Sequence, residues 1–283
     1  MQLPYSPLGQ WIERFIEFLT ARGEAVFDAI NAILEVPIDV LESVLVWPPA
    51  IVLIALVALV GWRLRGPGFA VASALGLLLV DSMRMWEPAM ETLALVIVAT
   101  LVAGLVGIPF GILAARNRIV SAVVRPALDF MQTLPVFVYL LPAVFFFGIG
   151  VVPGAVATVI FAIPPGVRLT ELGLRQIDKE VIEAGQAFGA TEMQLLRKVE
   201  LPLALPTIMA GINQVIMLAL SMVVVAGMIG AGGLGGEVIR SITRLNIALG
   251  FESGISVVIL AVVLDRITES LGQRAQQHQH VGE

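Results

Sequence analysis

Apolar runs separated by short polar segments fill the chain between about residues 48 and 267. A helix needs about 20 consecutive apolar residues to cross the hydrocarbon core of a membrane, so each run is predicted to be a membrane-spanning helix. Seven such runs are present, at about residues 48–62, 68–80, 88–115, 125–147, 153–164, 206–229 and 255–267. The first two are shorter than a straight crossing requires and are expected to extend into their flanking residues.

Four parts follow from this pattern. Residues 1–46 form an acidic, amphipathic segment, and residues 47–83 contain two short peripheral spans. Residues 84–270 form the core and include a polar loop at residues 168–205, and residues 271–283 form a polar tail.

The N-terminal segment is apolar on one side only. Four of its side chains follow a helical spacing and share one face: Trp11, Phe15, Phe18 and Leu19. Charged residues occupy the other side, which predicts a helix lying at the membrane interface. Packing of the same face against neighbouring spans is an equal alternative. With seven Asp and Glu residues against two Arg, this segment carries the whole net charge of −5.

The composition agrees with a membrane protein. Hydrophobic residues make up 58% of the chain and charged residues 14%, with a mean hydropathy of +0.94. A soluble domain carries about 25% charged residues, because its surface must face water. The chain is therefore predicted to be an all-α integral membrane protein, a polytopic helical bundle of about seven transmembrane helices.

Several kinds of chemistry are excluded by residue type. The chain has no cysteine, which excludes disulfides, thiolate metal sites and cysteine nucleophiles. Its only histidines, His278 and His280, lie in the polar tail, so we predict neither a metal site nor a catalytic residue. Neither Lys179 nor Lys198 follows a glycine, which excludes a phosphate-binding loop for ATP. The acidic net charge gives no reason to expect nucleic acid.

Basic residues predict the orientation, because Lys and Arg near the ends of spans stay on the cytoplasmic side. With seven crossings, most of them fall on one side: Arg63, Arg65, Arg116, Arg118, Arg125, Arg168, Arg175, Lys179, Arg197, Lys198, Arg266 and Arg274. A minority, Arg84, Arg240 and Arg244, falls on the other side. This distribution predicts an N-terminus outside and a C-terminus in the cytoplasm.

The polar loop at residues 168–205 has the most specific pattern. Asp178 is placed to cap a short helix that runs through Glu183. Ala184 and Gly185 are small and would allow another surface to approach this helix closely. A short helix with a small-residue face suits docking into the groove of a partner protein.

The sequence also predicts where that helix ends and where a second one begins. Gly189 is suited to end the first helix, because glycine readily adopts the left-handed conformation found there. Thr191, with Gln194 three residues later, resembles a capping box that opens the second helix. Pro202 and Pro206 then indicate the return of the chain to the membrane.

These residues resemble the EAA signature of importer-type ABC transporter permeases, which reads Glu-Ala-Ala, three residues, Gly, nine residues, Ile-x-Leu-Pro. Five positions match at the right spacing: Glu183, Ala184, Gly189, Leu201 and Pro202. Gly185 stands for the second Ala and Val199 for the Ile, and both keep a small or apolar side chain.

Further segments are similar to the glycine betaine/proline betaine permeases, namely residues 131–135, 147–150, 201–211, 219–224 and 232–235. The resemblance covers about residues 88 to 270 and implies a type I ABC importer transmembrane domain with a cytoplasmic coupling helix, in the bacterial cytoplasmic membrane. It also implies a second copy of the chain, cytoplasmic ABC ATPase subunits and an extracytoplasmic substrate-binding protein as partners. ATP and Mg would be used by the ATPase, and this chain would bind no cofactor itself.

Five residues are candidates for the translocation path: Gln132, Tyr139, Asn213, Gln214 and Ser221. Gln214 and Ser221 lie two turns apart on one face of the sixth run. Hydrogen bonding between helices is an equal alternative for the polar residues of that run. Tyr139 could offer a cation–π contact to a quaternary ammonium group, with ordinary packing as its alternative.

Two other patterns have structural interpretations. Asp129, near the inner end of the fourth run, is predicted to form an ion pair with Arg125 one turn earlier. Residues 230–235 fit the dinucleotide-binding fingerprint, but they follow a long apolar run instead of a strand. A tight turn is therefore predicted at this position.

The predicted function is uptake of glycine betaine or proline betaine by alternating access, driven by separate ATPase subunits. One alternative is an ABC permease for choline, carnitine or an amino acid, since specificity would reside largely in the binding protein. The other is an ion-coupled secondary carrier. This second alternative is disfavoured, because the sequence shows no inverted repeat and the runs hold almost no carboxylates beyond Asp129.

Overall fold

A computed structural model describes residues 8–280, apart from the side chains of residues 8, 12, 13, 15, 17, 20, 21, 24 and 274–280. The described chain is helical, and it contains no β-strand. Its helices are α1 (Leu8–Val46), α2 (Ala50–Arg65), α3 (Pro67–Ser82), α4 (Trp86–Arg116), α5 (Arg118–Thr133), α6 (Phe137–Phe147), α7 (Val151–Arg175), α8 (Lys179–Ala187), α9 (Glu192–Leu195), α10 (Leu201–Gly227), α11 (Gly233–Thr243) and α12 (Ile247–His280). A π-helical segment, Leu196–Glu200, joins α9 to α10.

Small residues allow α4, α7 and α10 to pack closely at the centre of the bundle. Ala103 in α4, Ala162 in α7 and Ala219 in α10 are all fully buried. A β-carbon added to Gly107 would lie 3.4 Å from the backbone of Gly166, so the two helices touch almost backbone to backbone. Close packing of small residues is how membrane helices gain contact without a hydrophobic driving force between them.

The number of spans depends on whether the bent and the short helices are counted as crossings. Four helical stretches are long and apolar enough to cross a membrane: α4, α7, α9 to α10, and α12. Two bent pairs, 25–46 with α2 and α5 with α6, could each add one span, which gives up to six. The predicted second run corresponds to α3, an apolar helix of 16 residues, which is short for a straight crossing; if α3 also crosses, the number of spans is the seven predicted.

Four predicted segments differ from the helices of the structure. The fifth run was expected to end near residue 164, but Pro164 and Pro165 lie inside α7, which continues to Arg175. The loop predicted at residues 168–205 is therefore shorter, because α7 supplies its first eight residues and α10 its last five. The fourth run is not one helix, since α5 and α6 meet at 97° across residues 134–136. The predicted tail begins inside α12, which is helical as far as His280.

The N-terminal segment forms one 39-residue helix, α1, which meets α2 at 98°. Leu34 and Ile38 bury one side of α1 in the main apolar cluster of the bundle. Trp11 and Phe18 are exposed, so the spans of this chain do not cover that part of the predicted apolar face. The side chain of Phe15 lies outside the described residues, and placement at the membrane interface stays a prediction.

Polar contacts join helix ends that the distribution of basic residues predicts to lie on the same side of the membrane. Arg65 of α2 pairs with Glu269 of α12 at 2.5 Å. Arg116 at the end of α4 pairs with Glu200 at 3.2 Å, immediately before α10 begins. At the other end of α4, the backbone N–H of Gly233 donates to Glu91 at 2.6 Å.

The glycine-rich segment at residues 230–235 contains a tight turn, as predicted, and its last three residues begin α11. Gly230, Gly232 and Gly233 all have positive φ, and α11 begins directly after Gly232. The turn follows the long helix α10, whereas a dinucleotide fingerprint requires a strand at that position. The short helix α11 itself was not predicted.

Candidate functional site

The predicted functional loop lies between α7 and α10, at residues 176–200. It contains α8, a break at residues 188–191, α9 and the π-helical segment. The predicted order of helix, break and helix is therefore present. Asp178 occupies the capping position before α8 with extended backbone, but its side chain makes no capping hydrogen bond to the described residues of that helix.

Gly189 ends α8 in the way the sequence indicates. Its φ is +79°, in the left-handed region. Its N–H donates to the carbonyl of Gln186 at 2.9 Å, and the N–H of Ala190 donates to the carbonyl of Gly185 at 3.1 Å. These two bonds make a Schellman motif, which satisfies carbonyls that the helix leaves without partners.

The capping box at the start of α9 is also present. The N–H of Gln194 donates to the hydroxyl of Thr191 at 3.3 Å, and the N–H of Thr191 donates to the side-chain oxygen of Gln194 at 2.9 Å. The loop thus has two defined helix ends within three residues. Such local bonding fixes the angle between α8 and α9.

The three residues at the centre of α8 have different environments. Glu183 and Ala184 are exposed. Gly185 faces the loop itself, since a β-carbon there would lie 2.6 Å from the Cδ1 atom of the buried Leu195. Because Gly185 has no side chain, α8 can pack on α9. The close approach that was predicted for another surface is made at this position by Leu195 of the same chain.

An exposed aromatic side chain completes the outer surface of α8. Phe188, at the end of the helix, is 93% exposed. Glu183, Ala184 and Phe188 together give this end of the loop an uncovered surface that is part charged and part apolar. The exposed Phe188 is the feature typical of a protein-docking site, because aromatic side chains are enriched at protein interfaces. The sequence pattern pointed to the helix but not to Phe188, because the matched motif does not specify this position.

Leu201 and Pro202 stand where the loop passes into α10. The preceding turn is π-helical, and the N–H of Leu201 donates to the carbonyl of Leu196, five residues back. Proline has no N–H and its ring collides with the carbonyl four residues earlier in an α-helix. The wider π turn before Pro202 removes that collision, so the motif proline accounts for the π-helical segment.

The loop is fixed to the core at one further point. Arg116, the last residue of α4, donates to the carbonyl of Glu192 at 3.3 Å and pairs with Glu200. The side chain of Glu200 is only 12% exposed. Arg116 therefore connects the end of α4 both to α9 and to the residue that precedes α10.

The candidate path residues do not form one cluster. Gln132 is exposed near the end of α5. Tyr139 is buried in α6, where its hydroxyl donates to the carbonyl of Met131 and its ring packs edge-on against Phe161 at 6.1 Å. These contacts agree with the packing alternative for Tyr139.

The three candidates on α10 divide into two groups. Asn213 donates to Asp265 at 2.9 Å and accepts from Thr268 at 2.6 Å, both on α12. Asn213 therefore has the alternative role given for it, which is hydrogen bonding between helices. Gln214 and Ser221 are exposed on one face of α10, as the helical spacing predicted. The Ser221 hydroxyl donates to the carbonyl of Met217.

An acidic residue of α7 was missed by the sequence analysis. Glu171 is buried, and it pairs with Arg125 at 3.0 Å and with Arg175 at 2.9 Å. The predicted pair of Arg125 with Asp129 is wrong, because Asp129 pairs with Arg168. The only signal for Glu171 was its i, i+4 spacing to Arg175, and this was hidden by the expectation that α7 ends before residue 168.

Comparison with known proteins agrees with this architecture. Residues 107–277 match the family described as binding-protein-dependent transport system inner membrane component. The chain is 48% identical to the glycine betaine transport system permease protein OpuAB of Bacillus subtilis, over 95% of this chain and 96% of that protein. It is 46% identical to the glycine betaine/proline betaine permease ProW of Escherichia coli, over 94% of this chain and 75% of the other.

A third relative is the glycine betaine/carnitine transport permease GbuB of Listeria monocytogenes, which is 46% identical over 97% of this chain and 98% of that protein. Among solved structures, inward-facing conformations of the MetNI methionine ABC transporter are similar, with a TM-score of 0.59 and 26% identity. This match covers 67% of the chain and 93% of the solved chain, and it confirms the predicted importer fold. The chain therefore belongs to the binding-protein-dependent inner membrane component family, as the permease subunit of an ABC importer and not as an enzyme.

Proposed function

We propose that this chain imports glycine betaine and related betaines across the bacterial cytoplasmic membrane. The observation that carries the substrate assignment is that the three relatives above, each at least 46% identical over at least 94% of the chain, are all named for glycine betaine. Their second named substrates differ between proline betaine and carnitine. Carnitine is therefore the second candidate cargo.

The work of this subunit is conformational. The exposed side of α8 docks into a separate ATPase subunit, which holds ATP and Mg. Closure of the ATPase moves α8, and the fixed angle between α8 and α9 passes that movement to α10. Glu183 and Phe188 supply the contact surface, while Gly185, Gly189, Leu201 and Pro202 give the loop its shape.

A second copy of the chain completes the pathway. Gln214, Met217 and Ser221 form an exposed face of α10 that is not covered within the described chain. Two such faces, one from each copy, would enclose a path with polar groups along its wall. The substrate-binding protein delivers the solute to the outer end of this path.

The uptake of labelled glycine betaine into proteoliposomes tests the proposed function. The vesicles contain this subunit, its ATPase and its binding protein, with ATP in the lumen and without an ion gradient. We expect uptake that requires ATP and is inhibited by proline betaine but not by amino acids. If carnitine alone is taken up with ATP, carnitine replaces glycine betaine as the proposed substrate. Uptake driven only by a sodium or proton gradient would overturn the importer mechanism.

The same proposal includes an orientation, with the N-terminus outside and the α8–α9 loop in the cytoplasm. Because the chain has no cysteine, single cysteines can be introduced without background. We expect Ile149→Cys and Ile247→Cys, both at strongly exposed positions, to react with a membrane-impermeant maleimide in intact cells. Gln186→Cys should react only after permeabilisation. The reverse pattern would invert the proposed topology.

A further inference from the structure

The helix α5 is attached to the bundle in an unusual way. Leu128 is the only apolar side chain buried in α5, and no residue of this helix belongs to the buried apolar clusters formed by the described residues. In contrast, α4 and α7 are in such close contact that a β-carbon on Gly111 would lie 2.5 Å from Thr170. Apolar packing therefore makes α4 and α7 one rigid pair but contributes little to holding α5.

Polar side chains hold α5 instead. On α5, Ser121, Arg125 and Asp129 are four residues apart and thus share one face. They meet Arg168 and Glu171 of α7, and we call these five residues the polar ladder. The Ser121 hydroxyl donates to Glu171 at 2.7 Å, and Arg125 donates to the same carboxylate at 3.0 Å. Asp129 pairs with Arg168.

Glu171 is the buried charged member of the polar ladder, beside the buried hydroxyl of Ser121. Its side chain is 3% exposed, whereas those of Arg125, Asp129 and Arg168 are 56%, 66% and 38% exposed. A buried carboxylate that lost all its partners would be strongly destabilising. Glu171 also pairs with Arg175 on its own helix at 2.9 Å, so it keeps one partner if α5 moves away. The other members would then be solvated by water.

The ends of α5 are suited to such a movement. Asn117, in extended conformation, separates it from α4, and residues 134–136 separate it from α6 at the 97° bend. Breaks of this kind absorb the backbone rotation when a helix moves as a unit. Gln132, a candidate path residue, lies on the last turn of α5. Movement of α5 would therefore change the wall of the path.

We propose that Glu171 is a positioning residue, which holds α5 against the α4–α7 pair in one state of the transport cycle and releases it in the other. Glu171 lies four residues before the end of α7, where the α8–α9 loop begins. Displacement of the loop therefore reaches Glu171 within about one helical turn. The inference rests on the proposed function and adds the element that changes the path when the ATPase closes.

The variant Glu171→Gln tests this role in the complete transporter. It keeps the size of the side chain but removes the charge that binds Arg125 and Arg175. We expect the complex to assemble and to hydrolyse ATP at its basal rate, while stimulation of hydrolysis by loaded binding protein falls about tenfold, in the range of typical coupling energies. Uptake per ATP hydrolysed should fall with it.

Two further variants make the test decisive. Glu237→Gln is the matched control, because Glu237 pairs with Arg240 within α11 and should leave coupling unchanged. Asp129→Asn breaks the more exposed end of the polar ladder, where the partner left behind, Arg168, is 38% exposed, and it should lower the stimulation in the same direction. If the Glu171→Gln complex fails to assemble, the stimulation measured with Asp129→Asn decides the test. The double variant Asp129→Arg with Arg168→Asp, which restores an ion pair, should recover the stimulation.

Wild-type stimulation in Asp129→Asn and in any assembled Glu171→Gln complex would overturn the inference. A parallel loss of assembly, basal hydrolysis and uptake in both variants would also overturn it, because the polar ladder would then only support the fold. These outcomes differ from a failure of the proposed function, which would appear as absent ATP-driven betaine uptake by the wild-type protein.

Discussion

Replacement of Gly189 by valine is expected to abolish ATP-driven uptake while the subunit still inserts into the membrane. A β-branched residue is strongly disfavoured at a φ of +79°. The backbone would have to change, and the Schellman bonds that end α8 would be lost. Because α8 then no longer meets α9 at a fixed angle, movement of the ATPase would not reach α10. Uptake assays and membrane fractionation measure the two effects separately.

The matched control is Gly189→Asn. Asparagine tolerates the left-handed conformation far better than valine, so this variant should keep most of the uptake although it adds a side chain. If asparagine were as harmful as valine, the absence of a side chain, and not the backbone conformation, would be the requirement at this position. Full activity of Gly189→Val would contradict the role assigned to the loop geometry.

Replacement of Gly235 by alanine is expected to have the largest effect on stability. A β-carbon at this position would lie 2.1 Å from the carbonyl oxygen of Val223, and one on the facing Gly227 would lie 2.4 Å from the backbone of Gly235. Backbone atoms of α10 cannot give way as a flexible side chain can. The helices must separate, at a cost of about 3 kcal/mol or more.

The next residue provides the control for this substitution. Gly236 has no atom within 4 Å of an added β-carbon, and its φ is not positive, so Gly236→Ala should leave stability unchanged or raise it slightly. Thermal unfolding of the purified subunit in detergent compares the two variants directly. Equal unfolding temperatures for both would contradict the tight contact between α10 and α11.

The features of the loop that depend on neighbouring residues were predictable from the sequence. Gly189 and the Thr191–Gln194 capping box act through hydrogen bonds spanning three to five residues, which sequence spacing fixes directly. The end of α7 was not predictable in this way. Pro164 and Pro165 usually indicate a helix boundary, but the close packing of α7 on α4 and α10 keeps the helix continuous through both.

Contacts between helices that are distant in sequence explain the remaining differences between the predicted and the observed partners of polar residues. The spacing of Asn213, Gln214 and Ser221 gives their positions around α10, but it cannot show that α12 lies against Asn213 and not against the other two. Likewise, Asp129 pairs with Arg168 of α7 and not with Arg125 on its own helix. Glu171 pairs with Arg125 of α5 in addition to Arg175, the partner that its local spacing suggests. Polar residues in membrane helices bond to the nearest available neighbour, which depends on the assembled bundle.

The unbroken helical path from α9 through α10 has a consequence for how far motion travels. Residues 192–227 form 36 residues of helix, about 54 Å long at 1.5 Å per residue. As a stiff lever pivoted at α9, such a helix would turn a tilt of about 5° into a displacement of about 5 Å at its far end. That displacement is close to the width of a small solute. A tilt of about 5° at α9 would therefore shift the glycine-rich turn beyond Gly227 by about 5 Å.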